Sequence, residues 1–167
     1  MRVFWLIGLF LCWIVLPLTV VAHGGGEIVT GRAPAGPFQV TVWFNPQPPQ
    51  AGETLHVTIG VISAEETAVL DALVQVRVVA SATGQSIINT MATTEQSANK
   101  LFYETDFVID ESGEYEMSIA VDQDGLGGEI ILETAVVPQS QSRWLWLLGF
   151  LAAVGATIWW RRQTAAS

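Results

Sequence analysis

Cysteine is all but absent from this 167-residue chain: the single example, Cys12, sits inside an apolar run near the amino terminus. No intrachain disulfide can form in the remainder, so its stability has to come from packing. Cations are nearly as scarce. Between His23 and Ser142 the only basic residues are Arg32, Arg77 and Lys100, set against all sixteen acidic residues of the chain, which leaves that stretch at −13. Nucleic acid is excluded as a partner on this ground, because phosphates are neutralised by Lys and Arg. The charge reads as a solvated surface, with an acidic patch for a basic partner or a cation as the alternative. Catalytic signatures are missing too: there is no Gly-x-Ser-x-Gly elbow, no phosphate-cradling glycine loop and, beyond Cys12, no thiol nucleophile. With two histidines, His23 and His56, a conventional triad has little to draw on, and the chain is expected not to be an enzyme.

What the chain does have is two nearly uncharged apolar ends. Arg2 precedes the run Val3 to Leu16, Pro17 breaks it, and Val20-Val21-Ala22 suits signal peptidase, so that 1–22 reads as a signal peptide and His23 as the new amino terminus. An uncleaved anchor is the alternative. At the other end WLWLLGFLAAVGATIWW, residues 144–160, carries no charge and is flanked by tryptophans at both ends, with Arg161 and Arg162 following. Amphipathic indoles prefer the headgroup level and basic pairs the cytoplasmic side, so one membrane-spanning helix is predicted, with a cytoplasmic tail at 161–167. Gly149 and Ala153, four apart, would let two such helices approach closely.

Between the ends the apolar period is two, not 3.6. Phe38, Val40, Val42 and Phe44 alternate with Gln39, Thr41, Trp43 and Asn45, and Pro46 with Pro48-Pro49 ends the strand. Leu55, Val57, Ile59 and Val61 form the next inward row, and Val74, Val76, Val78 and Ala80 a third. A weaker strand follows over 86–93. Lys100 to Ile109 and the row Tyr115, Met117, Ile119, Val121 are expected to form a hairpin around Asp110-Glu111-Ser112-Gly113. A last strand runs from Glu129 to Val137 after the turn at Asp124 to Gly128, and Pro138 closes the domain. About seven strands with frequent turns predict an all-β fold, an immunoglobulin-like β-sandwich.

The segments VTVWFNPQPPQAGETLHVTIGV, VLDALVQVRVV and NKLFYETDFVIDESGEYEMSIAV resemble the YtkA-like domains and, more loosely, the FixH-type proteins of bacterial envelopes. The shared pattern is Pro-Pro-x-x-Gly between two strands, Asp-Ala-x-Val-x-Val, and a late Gly-x-Tyr before an alternating strand. It spans Phe38 to Val137. The resemblance implies an immunoglobulin-like sandwich, membrane tethering, and a part in metal handling or oxidase assembly. Members often carry Met or His between the middle strands, where this chain has Met91.

Three residues are candidate metal ligands. A histidine at a free amino terminus chelates Cu(II) through its amine and ring, and Gly24-Gly25-Gly26 leaves His23 unhindered. His56 lies on the row opposite Leu55 and Val57, facing solvent, and Met91 offers a soft sulfur; Met117 shares a row with Tyr115 and Ile119 and belongs to the core. Asp122-Gln123-Asp124-Gly125 fits a hairpin turn, because the later acidic ligands of a calcium loop do not follow. Glu65-Glu66 and Asp110-Glu111 read as solvated loop charge. The expected division is 1–22 signal peptide, 23–37 flexible arm, 38–138 sandwich, 139–143 linker, 144–160 membrane helix and 161–167 tail. A five-residue linker spans at most about 17 Å, which keeps the domain beside the cytoplasmic membrane. The function so read is a membrane-tethered extracytoplasmic accessory module with a membrane-protein partner and no cofactor; the alternative is a copper carrier using His23.

Overall fold

The computed structural model describes residues 26–95 and 97–139, and within the carboxy-terminal segment residues 149, 151, 154 and 155. Eight strands follow one another: β1 (Glu27–Ala35), β2 (Phe38–Asn45), β3 (Thr54–Ile62), β4 (Leu73–Ala80), β5 (Gln85–Ala92), β6 (Tyr103–Val108), β7 (Gly113–Gln123) and β8 (Leu126–Val136). They form two four-stranded sheets, ordered β1-β2-β3-β6 and β5-β4-β7-β8. Neighbouring strands are antiparallel throughout. The protein is therefore an all-β sandwich.

The alternating rows pack as their period requires. Val40, Val42 and Phe44 of β2, Leu55, Val57, Ile59 and Val61 of β3, and Val74, Val76 and Val78 of β4 are all buried, with Met117 and Ile119 of β7 completing the centre. Each such side chain contributes roughly 1.5–3 kcal/mol relative to leaving it in water. Without a disulfide among the described residues, this continuous core carries the stability. At the β7–β8 turn Gln123 pairs with Leu126, and Asp124 and Gly125 both have positive φ, at 55° and 80°. That is the two-residue loop whose twist matches its strands, so the Asp-Gly reading holds.

Two expectations need correction. The strand number is eight, not about seven, because the segment 23–37, expected as a flexible arm, contains β1. β1 is an edge strand with only Ala35 fully buried. Its ladder with β2 is interrupted twice, between Ile28 and Thr30 and between Thr30 and Ala33, and Arg32 takes a φ of 51°. Those irregularities erase the alternation by which the other strands are recognised. Secondly, β6 and β7 do not form a hairpin: β6 pairs with β3 and β7 with β4 and β8. Alternation says which side chains point inward and is silent on the partner strand. Residues 109–112 instead cross between the sheets, held where Gly52 N–H donates to Ile109 O at 2.9 Å and the Tyr115 hydroxyl to Glu111 O at 2.8 Å.

The sheets also touch at their edges. Thr93 and Glu104 exchange backbone bonds at 2.9 and 3.1 Å, joining the end of β5 to β6. On the opposite side the β1–β2 turn lies against the start of β8, where Gly36 meets Gly127 and Gly128 backbone to backbone. Beyond β8, Val137 accepts from Ala51 N–H and donates to Pro49 O, both at 2.9 Å.

The expected signal peptide, His23, most of the expected linker, the tail and all of residues 144–160 except 149, 151, 154 and 155 lie outside the described residues. Gly149, Leu151, Val154 and Gly155 are helical. Among the described residues no helix is long and apolar enough to cross a membrane.

Candidate functional site

The outward face of the first sheet is built unlike a solvated one. On β3 the inward row Leu55, Val57, Ile59 and Val61 turns His56, Thr58 and Gly60 to the outside. Strand register then brings their neighbours alongside. Thr58 lies between Trp43 of β2 and Glu104 of β6, and His56 between Asn45 and Asp106. Gly60 has no side chain, and over it Trp43 and Phe102 meet edge to face with ring centroids 5.3 Å apart and planes inclined at 62°. A Cβ on Gly60 would come within 3.3 Å of both rings, so the glycine lets them lie close to the sheet.

Beneath this cover Thr58 is 1% exposed, and its Oγ1 is the one buried side-chain polar atom among the described residues without a hydrogen-bond partner. Next to it Glu104 has a side chain only 9% exposed. A carboxylate removed from water needs a partner to offset the cost. Lys100 does not supply one, because its Nζ is spent on the carbonyls of Thr94 and Glu95 at 3.1 and 2.7 Å. Among the described residues the group facing Glu104 is His56, whose Nε2 stands 3.8 Å from Oε2, a contact that is an ion pair only when the ring is protonated. The ring's other nitrogen, Nδ1, is 2.6 Å from Asp106 Oδ1. His56 is 32% exposed and Asp106 59%, so the three side chains run from a buried carboxylate through an imidazole to an open one.

Of the residues expected to bind metal, His56 is thus placed among acidic neighbours. Met91 lies on β5 opposite Gln75, on the outward face of the second sheet and 45% exposed, so the fold does not bring it to His56. His23 lies outside the described residues. Met117 is fully buried, as its row requires. Glu104, Asp106, Thr58 and Phe102 were not singled out from sequence; the alternation of Glu104 and Asp106 with Tyr103 and Phe107 marks them as outward, but only the β3–β6 register sets them beside His56. Among the described residues no three His, Cys, Asp or Glu side chains form a group arranged to hold a metal ion. Chemically the face offers an aromatic wall, a buried anion and an imidazole, a combination suited to cations.

Elsewhere an open cleft of about 440 Å³ separates Ile87 and Ile88 from Val108, Ile109 and Tyr115, with Asp110, Glu111 and Glu114 around it. Among the described residues no histidine lines it. Of the loop acids, Glu65 accepts from the Ser63 hydroxyl at 2.8 Å, which holds its carboxyl below the usual range, and Glu66 pairs with Arg32 at 2.9 Å with both side chains mostly exposed. Such pairs contribute little to stability.

No protein-family model and no curated protein matches the sequence. Solved structures that share part of its outline include two of FetP from uropathogenic Escherichia coli strain F11. A copper-bound variant superposes with a TM-score of 0.45 at 11% identity, covering 68% of this chain and 95% of that one. The as-isolated protein, expressed in the periplasm, gives 0.43 at 12% identity, covering 71% and 97%. Likenesses at this level carry no residue role or ligand across.

Proposed function

We propose that the chain is a non-catalytic interaction module, tethered through residues 144–160 at the outer face of the cytoplasmic membrane, that docks a cationic segment of a membrane protein. The docking surface is the outward face of β2, β3 and β6. The observation that carries this is the construction of that face, where the Trp43–Phe102 pair and a buried Glu104 lie among its polar side chains. Aromatic side chains are enriched at contact surfaces, and a Lys or Arg can meet both the rings and the carboxylates. Support for the tether comes from the apolar, tryptophan-flanked segment with its trailing arginines. The likeness to YtkA-like envelope domains, read from sequence, points to the same side of the membrane.

The test is photo-crosslinking in native membranes with a probe at Asn45, which is exposed beside His56. A discrete adduct with a second membrane protein is expected, falling at least fivefold with Trp43→Ala, while a probe at Asn89 on the second sheet gives none. Recovery of the free chain alone from the Asn45 probe would sink the proposal.

A further inference from the structure

The geometry points to a divalent transition-metal site between His56 Nε2 and Glu104, with Asp106 as the residue that orients the imidazole. The Nδ1–Asp106 contact of 2.6 Å is a strong hydrogen bond, and because a carboxylate only accepts, the proton on that bond sits on Nδ1. In the neutral ring Nε2 then carries a lone pair, and it faces the Glu104 carboxylate at 3.8 Å. Two electron-rich atoms at that separation are too far apart for a hydrogen bond and repel each other unless a cation lies between them. Donors each about 2.0–2.2 Å from one ion stand roughly 3.4 Å apart in a tetrahedral arrangement and about 4 Å when opposed, so the observed span accommodates an ion.

A second observation points to the same place. Thr58 lies directly opposite Glu104 on the same face, and its buried Oγ1 lacks a partner. A hydroxyl left without one at a buried position needs a ligand or a water to satisfy it. The carboxylate on the far ring nitrogen is the arrangement that fixes a metal-binding tautomer and raises its basicity. Because Asp106 is engaged with Nδ1, two protein donors face the ion. The other coordination positions are open to water or to a donor from a partner. One imidazole and one carboxylate suit a borderline cation of the first transition row, such as Zn(II) or Co(II). With so few protein ligands the ion exchanges readily.

This site does not depend on the docking proposal, and its test involves no partner. The full chain in detergent micelles, carrying His23→Ala so that a terminal histidine takes no part, is titrated with Co(II) and followed by its visible absorption, then back-titrated with Zn(II). One saturable equivalent is expected. Glu104→Gln, which keeps shape and loses charge, should weaken binding at least tenfold, and Asp106→Asn should weaken it 10–100-fold. Circular dichroism of each variant in chelator confirms that the fold is retained, and folded His56→Gln is expected to give no saturable spectrum. The inference is overturned if no saturable spectrum appears, as it would be if a second proton alone sits between His56 and Glu104. Unchanged binding by folded Glu104→Gln or folded Asp106→Asn protein overturns it equally.

Discussion

Gly128→Ala is expected to lower the stability of the sandwich by roughly 3 kcal/mol, because the new methyl would have to displace backbone on two elements at once. A Cβ at Gly128 would lie 2.2 Å from Gly36 N and 2.5 Å from the carbonyl carbon of Ala35. Neither is a flexible side-chain end. Gly36 cannot give way easily, since it holds a φ of 62° and its own Cβ position is 2.1 Å from Gly127 O. In a domain of this size the loss corresponds to a melting temperature lower by roughly 10–20 °C, measurable by circular dichroism. Gly52→Ala is the control. It has a φ of 73° but nothing within 4 Å of the added carbon, so it bears only the conformational cost of about 1 kcal/mol. Equal melting temperatures for the two variants would mean that the β1–β2 turn and β8 do not approach as described.

Tyr103→Phe is the second large effect. The Tyr103 hydroxyl accepts from Ala72 N–H and donates to Val69 O, both at 3.0 Å in a buried setting, and so fastens the loop before β4 to the inner face of β6. Phenylalanine fills the same space and leaves both backbone groups unsatisfied, at about 1–3 kcal/mol for each buried group. A loss of roughly 2–4 kcal/mol in urea unfolding is expected, and one below about 0.5 kcal/mol would show that water reaches the loop.

The same hydroxyl sets an alkaline limit. Burial pushes the Tyr103 phenol up, with the Ala72 hydrogen bond acting in the opposite direction. A group whose folded-state pKa is raised contributes stability that is fully present below the unfolded value, about 10 for tyrosine, and lost as pH rises through the folded one. Tyr115 is raised as well, again mainly by desolvation. The urea midpoint of the wild type should therefore fall between about pH 9 and pH 11. In Tyr103→Phe the fall should be shallower without vanishing, because Tyr115 still titrates; an unchanged slope would remove Tyr103 from the account.

Alternation made the core legible residue by residue: the inward rows of β2, β3, β4 and β7 lie where a period of two puts them. It failed for β1, where Arg32 and the broken ladder disturb the repeat, and it could not tell that β6 and β7 join different sheets instead of pairing with each other. The candidate site shows the same boundary. His56 was legible as outward, but Glu104 and Asp106 are nearly fifty residues further along the chain, and nothing local announces that they share its face. Trp43 likewise stood on the outward row, yet its cover by Phe102 depends on a glycine in the strand between them. Long-range register is a property of the assembled sheets. Met91 failed as a companion to His56 for that reason, since its strand belongs to the other sheet.

The bridge beyond β8 has a mechanical consequence. Any pull on the chain past Val137 first meets the two bonds to Pro49 and Ala51, which belong to the loop entering β3. Behind them β8 is paired with β7 from Leu126 to Val136, so a force directed along the strand loads that whole ladder in shear and cannot open it one rung at a time. Traction from beyond residue 137 is thereby shared by both sheets, and the loop through which it passes leads into the strand that carries His56 and Thr58.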